Sequence, residues 1–327
     1  MLLAACTRSE PPIGAPGAIS QSPTTVISGD RGGSWMLSRA PQWDLLYVSN
    51  GNGTVTVYRY WKHDLVGKLS GFRAPMGECV DEVGDVYITD SDASKIFEFA
   101  HGGKTPLRVL SDPRRNAPYG CSIDPTTGDL AVANLDYDGR GDIAIYRRAS
   151  GKPRIYSTLC CVYFPLACTY NNRGDLFVAG FVSNTASRYS SFAELDKHGR
   201  SFIPVNPFLS SSWNWVYVTG IPWDGKYFVI GEDGAYRFKV KGDGQAIYKG
   251  ITGLNGIFNE EQSWIYHFTG SNSAGLQLVA ASGSGTGSVV YWNYPSGGDS
   301  IATITDGVYY PYGVTVSPKE VDISPRR

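Results

Sequence analysis

No stretch of this 327-residue chain approaches the roughly 20 consecutive apolar residues of a membrane-spanning helix, so none is expected. Charge of one sign is also lacking. Against 30 Asp and Glu stand 29 Lys and Arg, a formal net charge of −1, which leaves no electrostatic footprint for nucleic acid or an anionic membrane. Histidine is scarce: His63, His101, His198 and His267 are scattered, and none of the six cysteines falls in a CxxC pair, which argues against a zinc centre. GxSxG is absent, so a Ser–His–acid triad has no support. The glycine-rich Gly283–Gly287 joins two strand-like segments with no helix to receive a phosphate, and reads as a hairpin loop.

What the chain has is aromatic residues (13%), 39 Gly and 19 Pro, the composition of many short strands joined by tight turns. At 42% apolar and 18% charged it can bury a large core.

Six segments read as one strand: Leu45–Asn50, Asp85–Asp90, Asp129–Asn134, Asp175–Gly180, Lys226–Gly231 and Leu276–Ala281. They start 40, 44, 46, 51 and 50 residues apart. That period marks a propeller blade or a solenoid unit. Around Asp85–Asp90 a blade of four antiparallel strands, A to D, is predicted: Glu78–Asp81, Asp85–Asp90, Lys95–Ala100 and Leu107–Leu110. The pattern recurs as Cys121–Asp124, Asp129–Asn134, Asp142–Arg147, Arg154–Ser157; as Pro165–Tyr170, Asp175–Gly180, Phe192–Asp196, Phe202–Val205; and as Trp215–Thr219, Lys226–Gly231, Ala235–Val240, Ala246–Lys249. A further unit holds Leu276–Ala281, Val289–Tyr294 and Ser300–Ile304, with Ser263–Phe268 or Gly256–Glu260 as its first strand. The remaining unit is split. Leu45–Asn50, Thr54–Tyr60 and Leu65–Ser70 lack a strand A, which reappears as Val314–Ser317 behind Pro311-Tyr312-Gly313, a copy of Pro75-Met76-Gly77 and Pro118-Tyr119-Gly120. A C-terminal strand that completes the N-terminal blade closes a ring, whereas a solenoid would need caps instead. The predicted fold class is all-β, a closed six-bladed β-propeller.

Repeats of the form P-x-G…D…G-D-[VL]-[YF]-V-A-[DN] over about Pro41–Pro318 resemble NHL-type (NHL repeat) and gluconolactonase/regucalcin-like six-bladed propellers, including exported bacterial lipoprotein members. At the N-terminus Leu3-Ala4-Ala5-Cys6 resembles a lipobox, which implies cleavage before Cys6 and lipidation of its thiol. Thr7–Ser34, rich in Ser, Pro, Gly and Thr, suits a tether. The expected organisation is therefore a truncated lipoprotein-like signal (1–6), a flexible linker (7–40), the propeller (41–318) and a tail (319–327). The protein is expected as an exported monomer of the cell envelope, touching the membrane only through a lipid on Cys6.

In such propellers the D–A and B–C loops share one face. That face would carry Tyr119, Phe164, Trp213, Trp215, Tyr309, Tyr310 and Tyr312, with Asp and Asn residues from the ends of the B strands. Two readings stand: a concave site in which aromatic rings stack on a small molecule, a glycan or a protein, or rings that wedge neighbouring blades and acids that form turns. Asp81, Asp124 and Asn171 are turn formers by position. The lactonase resemblance implies one cation of the Ca2+ type, held here by Glu78, Asp90, Asn134 and Glu232; no other cofactor is expected. The positions matching Glu78 in other blades are Cys121, Cys168 and Val314, none of them an oxygen ligand. The functional expectation is a non-catalytic binding propeller, with a metal-dependent lactonase or ester hydrolase as the alternative and no catalytic residue assigned. Cys121 and Cys168 share the same offset from their blade prolines and are a candidate disulfide, and one of Cys160 and Cys161 is a candidate partner for Cys79 or Cys168.

Overall fold

Each B strand is apolar on both of its faces, and the fold explains why. The structure, a computed structural model, describes residues 32–112, 116–136, 141–182, 190–207, 218, 220–231, 234–255, 264–269 (backbone only), 276–282 and 287–319. It is a six-bladed β-propeller of antiparallel sheets. Blade 2 runs Pro75–Val80, Val86–Asp90, Lys95–Phe99, Pro106–Ser111, and blade 3 runs Ala117–Ile123, Leu130–Leu135, Asp142–Tyr146, Arg154–Ser157. Blade 4 runs Phe164–Tyr170, Leu176–Phe181, Ser190–Leu195, Ile203–Val205. Blade 5 shows Phe228–Gly231, Gly234–Val240 and Ala246–Gly253; its expected first strand, Trp215–Thr219, lies almost wholly outside the described residues. Blade 6 opens with Trp264–Thr269, which decides for the Ser263–Phe268 alternative, and continues with Leu276–Ser282, Ser288–Tyr294 and Ala302–Ile304.

Six hydrophobic clusters fill six seams, one between each pair of neighbouring blades. In Leu45–Asn50 of blade 1, Leu45 and Tyr47 enter the seam with blade 2, while Leu46 and Val48 enter the seam with blade 6. A strand sandwiched between two blades buries both faces, so alternation disappears from its sequence. The ring closes as the split unit requires: Pro311–Ser317 pairs with Leu45–Asn50, Val314 opposite Val48.

Blade 1 also has a fifth strand, which the reading of 7–40 as linker did not anticipate. Trp35–Met36 adds to the outer edge, with Trp35 opposite Lys68 and Met36 opposite Gly67. The Met36 thioether lies where a side chain at residue 67 would project, so Gly67 makes room for it. A strand of two residues is too short to carry a periodicity to read.

The A–B turns repeat one device. Asp81 Oδ1 accepts from the Val83 and Asp85 N–H groups (3.1 and 2.9 Å), Asn171 Oδ1 from Arg173 and Asp175 (2.8 and 3.0 Å), and Asp224 Oδ1 from Lys226 and Tyr227 (2.8 and 2.6 Å). Asp124 Oδ1 accepts from Thr126 N at 2.8 Å. These are side chains replacing the missing ladder at a turn.

The cysteine pairing differs from the expectation. Cys121 bonds Cys79 across the seam between blades 2 and 3, with Cα atoms 5.6 Å apart, and Cys160 bonds its neighbour Cys161. Cys168 is a free, buried thiol. Cys121 and Cys168 share one offset from their prolines, and that is why they do not meet: equal offsets place both side chains on the same side of their blades. A partner for Cys121 has to come from the opposite side of blade 2, one residue further along, where Cys79 stands.

Candidate functional site

The entry to each strand A has a geometric problem. In blades 1 to 4 the A–B register slips near the first residues of strand A, between Asn50 and Ser49, Pro75 and Glu78, Val132 and Asn134, and Pro165 and Ala167. A slip leaves backbone N–H groups of the incoming chain without ladder partners, and buried ones need acceptors. In blades 1 and 2 the last residue of strand B supplies them. Asn50 Oδ1 accepts from Tyr309 N at 2.8 Å, while its amide donates to Val48 O and Thr56 Oγ1. Asp90 accepts from Arg73 N and Ala74 N, both at 2.9 Å, one on each carboxylate oxygen. Asn134 donates to Asp112 Oδ2 (2.7 Å) and Asp142 Oδ1 (2.9 Å), and Asn116 Nδ2 lies 3.3 Å from Asp142 Oδ2, tying the residues before strand A of blade 3 to its B and C strands.

Two of the expected cation ligands, Asp90 and Asn134, are therefore clamps for the D–A connections. Glu78 is not beside them. It is buried in the seam between blades 1 and 2, where a side chain at Gly313 would overlap Glu78 Oε2. Neither Glu78 oxygen has a hydrogen bond of good geometry among the described residues. Burial pushes this carboxyl up to about 8, opposed by weak hydrogen bonding from the Ser49 hydroxyl and backbone beside it. Glu232 lies outside the described residues. Among the described residues no three His, Cys, Asp or Glu side chains converge as cation ligands.

The D–A and B–C loops meet on one face, as contacts in blade 1 establish. Gly51 of the B–C hairpin donates to Tyr309 O and Tyr310 O (2.9 and 3.1 Å), and Ser91 of the next hairpin donates to Ala74 O at 2.9 Å. Tyr309 and Tyr310 stand out from this face, 46% and 43% exposed, packed edge to face with ring centroids 4.9 Å apart. Tyr310 holds φ at +44°, a left-handed conformation that costs energy for a non-glycine residue. Tyr312 is half-buried against Gly51, where a side chain would come within 3.2 Å of its ring. Tyr119 and Phe164 are half-buried on the same loop set, Phe164 edge-on to Tyr163 at 5.1 Å. Phe72 instead wedges a seam, packing on Phe97 at 5.3 Å. Trp213 and Trp215 lie outside the described residues, as does Cys6.

A second concavity sits on the axis. A cavity of about 230 Å³ is walled by inner strands of blades 1 to 4 and by Gly220–Trp223 ahead of the first described strand of blade 5, and its lining includes Glu78, Cys168, Tyr170 and Val314. Its residues come from the later parts of the A strands, so it lies towards the A–B turns, away from the tyrosine pair. The glycines of the P-x-G motif let the wall form. A side chain at Gly77 would meet Tyr119 O at 2.6 Å and Gly120 Cα at 2.9 Å, and one at Gly313 would meet Gly77 Cα at 3.1 Å. Three motif glycines thus pack in series around the axis. The repeat P-x-G announced this contact in the sequence; the Ser49–Glu78 approach and the Asp112–Asn134–Asp142 clasp had no such signal, because nothing in the chain marks which blade they face.

No family model matches the chain, and no curated protein matches it. Solved structures do resemble it in fold. They include the structure titled "Crystal structure of Nidogen/Laminin Complex" (TM-score 0.61, 13% identity, 85% of this chain and 99% of that one). A functionally unknown protein from Desulfotomaculum acetoxidans (0.54, 7%, 85% and 100%) and a protein of unknown function from Bacteroides caccae (0.55, 12%, 85% and 99%) are similar in the same way.

Proposed function

We propose that this chain is a non-catalytic binding propeller that recognises a glycan or protein partner on the face of its D–A and B–C loops. The observation that carries this reading is the exposed Tyr309–Tyr310 pair, fixed by Asn50 and Gly51 before any ligand arrives. Tyrosines held rigid lose little entropy on binding and offer a flat apolar face beside a hydroxyl, which suits a sugar ring or a protein surface. The engagement of both Asp90 oxygens with backbone favours binding over cation-assisted hydrolysis. The NHL and gluconolactonase-like resemblance of the repeats agrees with such a scaffold, which hosts many unrelated sites. The protein is screened on a glycan array and against immobilised cell-envelope extract. The Tyr309→Ala/Tyr310→Ala variant is expected to lose about 30-fold or more in affinity for whatever ligand emerges, the scale of an aromatic hot spot. Unchanged affinity in a folded variant, or lactone hydrolysis dependent on Ca2+, would overturn the reading.

The same proposal places the protein outside the cytoplasm, tethered by lipid on Cys6. Its support is the Leu3-Ala4-Ala5-Cys6 sequence, the polar segment Thr7–Ser34 and the buried Cys79–Cys121 bond, which suits an oxidising compartment. Expressed in a bacterial host with a complete export signal restored ahead of Met1, the protein is expected to show a diacyl or triacyl mass on Cys6. An unprocessed product in the cytoplasm would refute the anchor.

A further inference from the structure

The two disulfides have opposite characters. Cys79–Cys121 is buried, 6% and 8% exposed, and joins the inner strands of two blades over a sequence separation of 42 residues. Closing such a loop restricts the unfolded chain and so stabilises the fold. Cys160–Cys161 joins neighbours, so it closes no loop and gains nothing from that source. It is also open to solvent: Cys160 is exposed, Cys161 half-buried and Leu159 beside them 50% exposed. A bond that adds no fold stability and faces reagents calls for a chemical role.

Its position supplies one. The pair sits in the D–A connection between blades 3 and 4, in a turn where Cys161 N and Val162 N both donate to Thr158 O (2.9 and 2.8 Å). At its start, the Thr158 hydroxyl donates to Gly141 O at 3.0 Å, in the B–C hairpin of blade 3. Gly141 in turn lies against Pro165 of blade 4. At its end, Tyr163 N donates to Phe181 O at 2.8 Å, and Tyr163 packs edge-on against Phe164. Cys160 Sγ lies 3.4 Å from Phe202 O, beside the outer strand of blade 4. The eight-membered ring of a vicinal disulfide therefore fixes a turn whose two ends hold neighbouring blades and one pair of face aromatics.

We propose that Cys160–Cys161 is a reversible thiol–disulfide exchange site, opened by an external dithiol, that resets the D–A connection into blade 4 and the Tyr163–Phe164 pair with it. A thiolate of the dithiol attacks one cysteine sulfur, breaking the Cys160–Cys161 bond and forming a mixed disulfide. The second thiol of the reagent displaces that sulfur. Two electrons and two protons end on Cys160 and Cys161 as thiols, and the reagent leaves as its own disulfide. Cys168 does not compete as an internal nucleophile, because burial pushes its thiol up to about 12 and leaves it no thiolate at neutral pH.

The folded protein is incubated with rising dithiothreitol, quenched with iodoacetamide and mapped by peptide mass. Cys160 and Cys161 are expected to label at a dithiothreitol concentration at least ~10-fold below that needed for Cys79 and Cys121, with Cys168 unlabelled, as accessibility dictates. In the reduced protein, amide exchange over Cys161–Phe164 should rise at least ~10-fold, a local opening with the blade strands still protected. The Cys160→Ser/Cys161→Ser variant should exchange like the reduced form. Oxidised glutathione should return the reduced protein, but not the variant, to the original pattern. Labelling of all four bonded cysteines together, failure of the thiols to reclose, or identical exchange in oxidised and reduced forms would each overturn the proposal.

Discussion

Gly77→Ala and Gly313→Ala are each expected to destabilise the propeller by about 3 kcal/mol, and the double variant to prevent ring closure altogether. The cause is space. A methyl at residue 77 would meet Tyr119 O at 2.6 Å, and one at residue 313 would overlap Met76 O and Glu78 Oε2. The obstacles are mainly backbone of the next blade, so relief requires the blades to separate at the axis, where they are most tightly wedged. At the 2–3 seam the Cys79–Cys121 bond resists that separation. Gly242→Ala, on an exposed turn with nothing within 4 Å, is the control and should be close to neutral. Guanidinium unfolding midpoints of the wild type and these four variants decide the matter. Equal midpoints for Gly77→Ala and Gly242→Ala would remove the axial glycines from the account of closure.

Those glycines also show why so much of the fold could be read from the chain. A residue whose neighbours are set by its blade repeats with the blade: the apolar B strands, the Asx turns at Asp81, Asn171 and Asp224, and the P-x-G entries all recur because each blade faces the same pair of seams. The copy of that motif at Pro311-Tyr312-Gly313 even revealed which strand closes the ring. What depends on one seam alone left no repeated mark. Cys79 pairs with Cys121 through their opposite orientations, a relation between residues at different offsets that matching offsets conceals. Asp90 and Asn134 have the residue types of cation ligands, but the register slip beside them turns those groups towards backbone and neighbouring carboxylates, and a slip is invisible in sequence. Trp35–Met36 binds an edge, where two residues suffice.

Glu78 is the residue on which the seam's chemistry turns. Its carboxyl is buried beside Ser49, without a hydrogen bond of good geometry, where the closing strand meets blade 2, and burial holds it near 8 against an ordinary value of 4.5. Below pH 4.5 the folded and unfolded chains both carry the proton, and Glu78 imposes no ionisation penalty. Between 4.5 and about 8 the unfolded chain releases the proton and the folded chain retains it, so stability falls by about 1.4 kcal/mol for each pH unit from this group alone. Above 8 both forms ionise and the penalty levels off. Glu194, raised to about 7 by burial and then by Asp196 and Asp175, adds a slope of the same sign over a narrower range. Asp175 runs the other way, its carboxyl lowered: burial, which raises it, is outweighed by Asn171, Lys197 N–H and Arg173, so its contribution is lost only on acidification. The wild-type protein is therefore expected to be most stable near pH 5 and to weaken steadily towards pH 8. Glu78→Gln keeps the shape without an ionisable proton, and should flatten the Glu78 part of the slope and exceed wild type by about 2 kcal/mol or more at pH 8.5. Amide protection factors in Leu45–Asn50 and Pro311–Ser317, taken relative to the intrinsic exchange rate at each pH, should fall with pH in wild type and not in the variant, because those strands form the wall against which the charge would develop. Parallel stability curves for the two proteins from pH 5 to 9 would mean that Glu78 reaches solvent or a partner, and that ring closure is indifferent to its charge.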